Sequence, residues 1–472
     1  MERGYITFLL ALATQAQAAC PGYTVCPTVN YALTLRANPA ARGLQSTIDS
    51  TEAAAVQGLG ANGINFGQLV ALLGEALVFD RSLSANGTEA CALCHNAGAG
   101  FSGGLAPFRR GGGIFPGADS HRTGFRAPQS LAYAGFAPVL TYRAATQDFA
   151  GGNFWDSRAT GAVTGSAAAD QSSVPLTSPF EMALPDPACA VRRVQLASYG
   201  QVFGKVWGAS AYAIKWPADT DRICARLNDG GADQAPLHLS PADRATATTT
   251  LQQIGITIST FESSPLSSPF SSTFDRVMAG TADFTPAEKR GYLLFTGAAH
   301  CAACHAITGS EILFTDFTSA NIGVPHNAAV PYLTENAPDR FGYVANPEGA
   351  GFVDQGLGGF LASAADTNPE WQAQAARFMG AFQVPTLRNV AAGVARSYMH
   401  NGYFTDLKTV VHFLNTRDVL PRCTGSAGVG TACWPAPEQP ANVNTTLTGD
   451  LGLSDGEENE LVAFLRTLTD QQ

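Results

Sequence analysis

Cys91-Ala92-Leu93-Cys94-His95 and Cys301-Ala302-Ala303-Cys304-His305 decide the reading of this chain. Two thiols three residues apart lie on one helical turn and can reach the two vinyl groups of a porphyrin. The adjoining His then supplies an axial nitrogen to the iron. Each pentapeptide therefore reads as a covalent haem c site: Cys91 and Cys94 with His95, and Cys301 and Cys304 with His305. Paired cysteines serve two other chemistries. A thioredoxin-type dithiol expects a βαβ setting, and no such alternation is visible. A zinc site would have to join the two pairs across what reads as a whole domain.

Outward from each motif the same plan repeats. Before the first, Leu69, Leu72, Leu73, Leu77 and Val78 form a wide apolar face, predicting a helix over 66–79. Asn86-Gly87 then turns the chain into Cys91. Residues 96–153 are Gly-rich and read as loop. Ser240-Pro241 opens a helix with proline at its first position, carrying Leu251, Ile254, Ile258 and Phe261. In the second half, Thr285-Pro286-Ala287-Glu288 combines that proline with a capping box. Its helix ends near Gly297, just before Cys301. Ser454 and Glu457 cap a last helix with Leu461, Val462, Leu465 and Leu468 as its stripe. The expectation is an all-α fold, two cytochrome c-like haem domains in tandem with long loops. The domains would cover 61–280 and 281–472, behind a leader, 19–60, that looks extended.

Residues 1–18 read as an export signal: Arg3, an apolar run from Tyr5 to Ala13, and Ala16-Gln17-Ala18 as a small-x-small cleavage site. That run is too short to span a bilayer, and no later stretch is long and apolar enough. The expected location is the periplasm. Net charge is −10 and the apolar fraction 45%, which argues against nucleic acid and for a sizeable core. Outside the motifs six of the ten cysteines remain. An oxidising compartment would pair them, and proximity suggests Cys20–Cys26, Cys189–Cys224 and Cys423–Cys433.

Four further stretches follow the motifs in order: Phe154-Trp155-Asp156-Ser157-Arg158-Ala159, Ser178-Pro179-Phe180-Glu181-Met182, Val384-Pro385-Thr386-Leu387-Arg388-Asn389-Val390 and Tyr398-Met399-His400-Asn401-Gly402. Together they resemble the bacterial di-haem cytochrome c peroxidase family, which includes the tryptophan-oxidising enzyme MauG. The resemblance runs from about Leu69 to Leu468. It implies that the haem on His95 is the peroxide site and Glu181 its acid–base residue. It places Trp155 between the haems as an electron relay and makes the haem on His305 the electron-receiving one. Without the resemblance, Glu181 would read as a loop carboxylate and Trp155 as a core residue.

Two departures stand out. The family's sixth ligand to the second haem, Met or Tyr, falls at Leu414, which cannot bind iron. That haem is then five-coordinate, or Met399 or His412 takes the place. His412 lies about 200° round a helix from Leu414 and reads as an exposed helix residue. Arg126 stands where the family has an Asn ligand for calcium, so calcium is not expected; a guanidinium supplies positive charge there instead. In peroxidases of this kind that need reductive activation a displaceable His sits near His121, which is the candidate for that role.

The leading expectation is a periplasmic di-haem peroxidase that reduces hydrogen peroxide with electrons from a small donor protein, a cytochrome c or a cupredoxin. The alternatives are a MauG-like enzyme that oxidises Trp or Tyr residues of a partner protein, and a non-catalytic electron carrier. Homodimers are common in that family.

Overall fold

The computed structural model describes residues 39–103, 111–228, 230, 237–366, 368–393 and 397–471, with side chains from residue 47. The helices that frame the sites are α1 (Pro39–Gly58), α2 (Phe66–Phe79), α3 (Cys91–Cys94), α4 (Pro241–Glu262), α5 (Pro286–Thr296), α6 (Leu407–Thr416) and α7 (Asp455–Arg466). The caps at Ser240, Thr285 and Ser454 form as their sequences predict, and Asn65 adds one that sequence reading did not name. Asn65, Ser240, Thr285 and Ser454 each accept a hydrogen bond from a first-turn N–H, and Asn65, Thr285 and Ser454 complete capping boxes. Such a cap stabilises a helix by about 1 kcal/mol.

One helix departs from expectation. The stretch 39–58, read as extended, is helical. Its stripe is thin, Ile48, Ala55 and Leu59, but all three are buried, and α1 packs on α2. Small and polar residues between them hide the helical period from a sequence reading.

Two larger apolar cores lie on either side of residue 272. One gathers Leu73, Leu77, Val191, Phe203, Ile254 and Phe261. The other gathers Phe274, Phe295, Phe314, Leu461 and Phe464. Each is crossed by a helix pair that meets at a glycine. A Cβ on Gly74 of α2 would strike the Thr257 carbonyl and Phe261 of α4. A Cβ on Gly291 of α5 would strike the Glu460 carbonyl and Phe464 of α7. Strands are confined to two ribbons. Antiparallel β1 (Thr141–Arg143) and β2 (Asp148–Ala150) pair Thr141 with Ala150, and antiparallel β3 (Ser319–Ala320) and β4 (Phe382–Gln383) pair Ser319 with Gln383. The bridge Ala150–Thr318 joins the two ribbons, so the second half is stitched to the first beside Trp155.

Two disulfides, Cys189–Cys224 and Cys423–Cys433, match the proximity pairing. Cys20, Cys26 and the expected export signal lie outside the described residues. No helix among the described residues is long and apolar enough to cross a membrane.

Candidate functional site

Both histidines of the motifs are oriented in the same way. In the first, α3 carries the two thiols and the His95 N–H closes the turn on the Cys91 carbonyl at 2.9 Å. His95 Nδ1 lies 2.8 Å from the Gln129 carbonyl and 3.3 Å from that of Phe101. In the second, Cys301–Ala303 form a 3₁₀ turn, and His305 Nδ1 lies 2.9 Å from the Phe314 carbonyl. A carbonyl can only accept, so Nδ1 donates and Nε2 is left with its lone pair for a metal. Burial pushes the His95 ring down to about 4 and lowers that of His305 as well, which keeps both in the neutral, ligating form. Phe101 and Phe314 both hold φ in the left-handed region, 56° and 54°. That costs on the order of 1 kcal/mol each and aims their carbonyls at the imidazoles.

The four thiols are unpaired. Burial pushes Cys91 and Cys301 up to about 12 and raises Cys94 and Cys304 too. A redox dithiol needs the opposite, a depressed thiol pKa. Among the described residues no three His, Cys, Asp or Glu groups gather as a metal site. Neutral thiols beside an oriented imidazole are the donor set that a covalently attached haem requires.

Acids surround the first motif. Glu181 is held by Ser178 and faces Arg158; burial raises its pKa, and these two contacts oppose the rise. More than a third of its surface is accessible, yet enough protein surrounds the carboxyl for burial to be the largest influence on its titration. Its charge acts on Cys91, Cys94 and Glu89, which places it in the neighbourhood of the first motif. Glu89 accepts from Cys94 Sγ at 3.6 Å, and burial pushes it up to about 8. Glu262, at the end of α4, is fully buried with neither oxygen hydrogen-bonded. It is the strongest of the charges acting on Cys91, and burial raises its pKa well above the usual range.

The second motif opens on a cavity of about 300 Å³ whose walls include His305, Leu414, Met399, Tyr398, Val410 and Trp155. Leu414 is therefore on the wall of the cavity that His305 also lines. His412 is not: its Nδ1 lies 2.9 Å from Glu458. Met399 is the thioether on that wall, with φ at 69°.

Trp155 sits where the halves meet. Its indole N–H donates to the Ala127 carbonyl at 2.8 Å, and its own carbonyl accepts from the Gln383 N–H of β4 at 2.8 Å. Beside it Arg126 pairs with Asp354 through Nε and Nη2, at 2.6 and 2.7 Å, and with Asp156 through Nη1 at 2.6 Å. Burial disfavours this charge, but the two carboxylates outweigh it and raise the Arg126 pKa. Burial likewise disfavours ionised Asp354, yet Arg126 holds its pKa below the ordinary range. Arg158 takes Asp156, at 2.9 Å to both oxygens.

His121 stands apart. Its side chain is 73% exposed, with Nδ1 3.2 Å from Asp119, so it is left out of the ligand set proposed below. Sequence reading missed Glu89, Glu262, Gln129 and Asp354. Glu89 had a signal, two residues before Cys91, and Glu262 ends a buried stripe. Gln129 acts through its backbone and Asp354 by a long-range contact, which leave no local trace.

A helix-rich fold with two oriented Cys-x-x-Cys-His sites defines a di-haem protein of the cytochrome c type. The profile of di-haem cytochrome c peroxidases matches residues 68–283. The chain is 33% identical over 409 residues to the methylamine utilization protein MauG of Paracoccus denitrificans, covering 85% of this chain and 89% of that one. It is 31% identical over 197 residues to the cytochrome-c peroxidase IdrP1 of Denitromonas iodatirespirans, covering 42% and 44%. The crystal structure of the di-haem peroxidase BthA from Burkholderia thailandensis superposes with a TM-score of 0.61 at 26% identity, covering 85% and 86%. The chain belongs to the di-haem cytochrome c peroxidase/MauG family, and with that family it is an oxidoreductase that uses peroxide.

Proposed function

We propose that this protein is a periplasmic di-haem c peroxidase in which residues 61–280 carry the peroxide site and residues 281–472 the electron-receiving site. Cys91 and Cys94 would hold the first haem and His95 would supply its ligand; Cys301, Cys304 and His305 would do the same for the second. When bound, the two haems supply a peroxide-binding iron and a store of electrons. The observation that carries the reading is Glu181, a carboxyl that stands near enough to the first motif for its charge to act on both thiols.

Cleaving the O–O bond of peroxide requires moving a proton from the inner to the outer oxygen. A carboxylate a few ångströms away does this, a contribution of about 10²–10⁴-fold. The Glu181 carboxylate takes the proton on one oxygen and returns it. Its raised pKa brings proton affinity closer to working pH, which general acid–base exchange favours. Arg158, whose guanidinium lies 3.7 Å over the Phe154 ring, limits that rise. Trp155 holds an indole at the junction of the halves and serves as the relay between them. On the cavity wall beside His305, Leu414 has no atom that could bind iron, and Met399 would be the side chain able to offer a thioether.

The electron source in this reading is a small cytochrome or cupredoxin. A second reading is favoured by the extent of the likeness to MauG: the oxidising equivalents are drawn from Trp or Tyr residues of a protein partner. One experiment separates the two. The haem-loaded protein is mixed with peroxide and reduced cytochrome c or cupredoxin. Sustained turnover supports the peroxidase. Prompt reaction with one equivalent of peroxide, without donor turnover, supports the MauG-like reading. Two low-spin haems that ignore peroxide in both redox states would leave only an electron carrier.

A further inference from the structure

We propose that Arg126 is a positioning residue that locks the first haem ligand and Trp155 to the second half of the protein through one short stretch of backbone, Arg126–Gln129. It rests on the reading above for the role of Trp155 but not for its geometry.

Five contacts of this stretch carry the inference. The Gln129 carbonyl takes the His95 Nδ1 proton at 2.8 Å. The Ala127 carbonyl takes the Trp155 indole proton at 2.8 Å, and the Ala127 N–H donates to the His400 carbonyl at 2.6 Å. The Arg126 side chain spans Asp156, the neighbour of Trp155, and Asp354 of the second half. These side chains are only 13%, 9% and 6% exposed. A guanidinium is suited to this place because its planar fork can face two carboxylates at once, and a lysine ammonium cannot do so in the same plane. Buried carboxylates without that cation would repel each other, so the stretch and the indole would shift. Removing one member of a buried ion pair is far more disruptive than removing both.

Pro128 stiffens the connection by fixing its own φ. Displacement at Arg126 therefore passes along the backbone to two hydrogen bonds, one setting the imidazolate character of His95 and one setting the indole angle. Partners of this kind orient a ligating His and tune its basicity.

The test uses the haem-loaded protein as R126A, R126K and D354N. The first readout is the resonance Raman iron–histidine stretch of the first haem in its reduced state. The second is the rate of electron exchange between the haems after flash reduction. The expected result is a stretch moved to lower frequency and exchange slowed by about 10-fold or more in R126A, with smaller changes in the same direction in R126K and D354N. If R126A does not accumulate, R126K and D354N carry the test alone. Lowered melting temperatures with wild-type Raman band and exchange rate would make Arg126 merely structural and overturn the proposal. A shifted band with unchanged exchange would keep the link to His95 and remove the part that runs through Trp155. Peroxide turnover is not read, so failure here is distinct from failure of the peroxidase reading, which E181Q tests.

Discussion

The two Cys-x-x-Cys-His sites share their near walls and differ in everything opposite. Each His is half-buried, donates Nδ1–H to a backbone carbonyl and leans on a Phe in a left-handed conformation. Around the first stand three carboxylates, Glu89, Glu181 and Glu262. Around the second stand Leu414, Val410, Met399 and Tyr398. The same attachment chemistry thus serves two environments. One can hold and move protons, and the other is largely apolar and offers a thioether and a phenol. Axial ligand, burial and hydrogen bonding are the levers by which a protein tunes haem, and here they differ within one chain.

The largest expected effect breaks that contrast at its acidic end. E181Q keeps the shape and hydrogen-bonding capacity but cannot take up a proton. Peroxide turnover should fall by about 10²–10⁴-fold, with haem content and the absorption spectrum unchanged. Turnover within a factor of about three of wild type would assign the proton transfer elsewhere, with Glu89 the next candidate. The pH profile sharpens the same point. Glu181 must be ionised to accept the proton, and burial raises its pKa. The rate should therefore drop as pH falls through a value above the usual carboxylate range, and that limb should vanish in E181Q.

The next effect concerns the apolar end. L414M places a thioether where the wall now carries an isobutyl group, and it should convert the second haem to a low-spin form in the low-temperature EPR spectrum of the oxidised protein. M399L is the control. If the wild-type second haem is already low-spin and M399L makes it high-spin, Met399 is the ligand and Leu414 a spectator. If both L414M and M399L leave the spectrum unchanged, neither position faces the iron.

This difference was unevenly legible in the sequence. The helix caps at Ser240, Thr285 and Ser454 and the stripes of α2, α4 and α7 depend on residues close together in the chain, and those readings hold. Glu181 and Trp155 were reachable only by resemblance, because nothing local marks a loop carboxylate or an indole as special. The carbonyls that orient both histidines come from Gln129 and Phe314, and backbone acceptors carry no side-chain signature. Asp354 reaches Arg126 across the fold from 228 residues away, a contact that no local period encodes. Helix α1 was missed because burial of three residues, not an amphipathic face, decides it.

A smaller effect separates the two cores. α1 packs on α2, in the first core, and it carries Glu52, pushed up to about 9 by burial and by Asp80 and Asp49, with Arg81 opposing. The unfolded chain loses this proton near pH 4.5, while the folded one keeps it until about 9. The folded form therefore binds more protons between these values, and stability falls as pH rises through that window. E52Q should flatten this slope and raise the melting temperature at pH 8 by about 1–3 °C. An unchanged slope in E52Q would place the titration on another group of the cluster.

The smallest expected effect is none at all, and it tests the junction between the sites. A divalent cation between the halves would have to compete for Asp156 and Asp354, but Arg126 already contacts both at 2.6 Å and cannot be deprotonated there. Elemental analysis of the haem-loaded protein should give two irons per chain and no stoichiometric calcium. Overnight dialysis against a chelator should leave the spectra of both haems and peroxide turnover unaltered. One calcium per chain, or a chelator-sensitive spectrum, would mean that the guanidinium does not fill the cation's role, and that the two sites are joined by a metal elsewhere along their boundary.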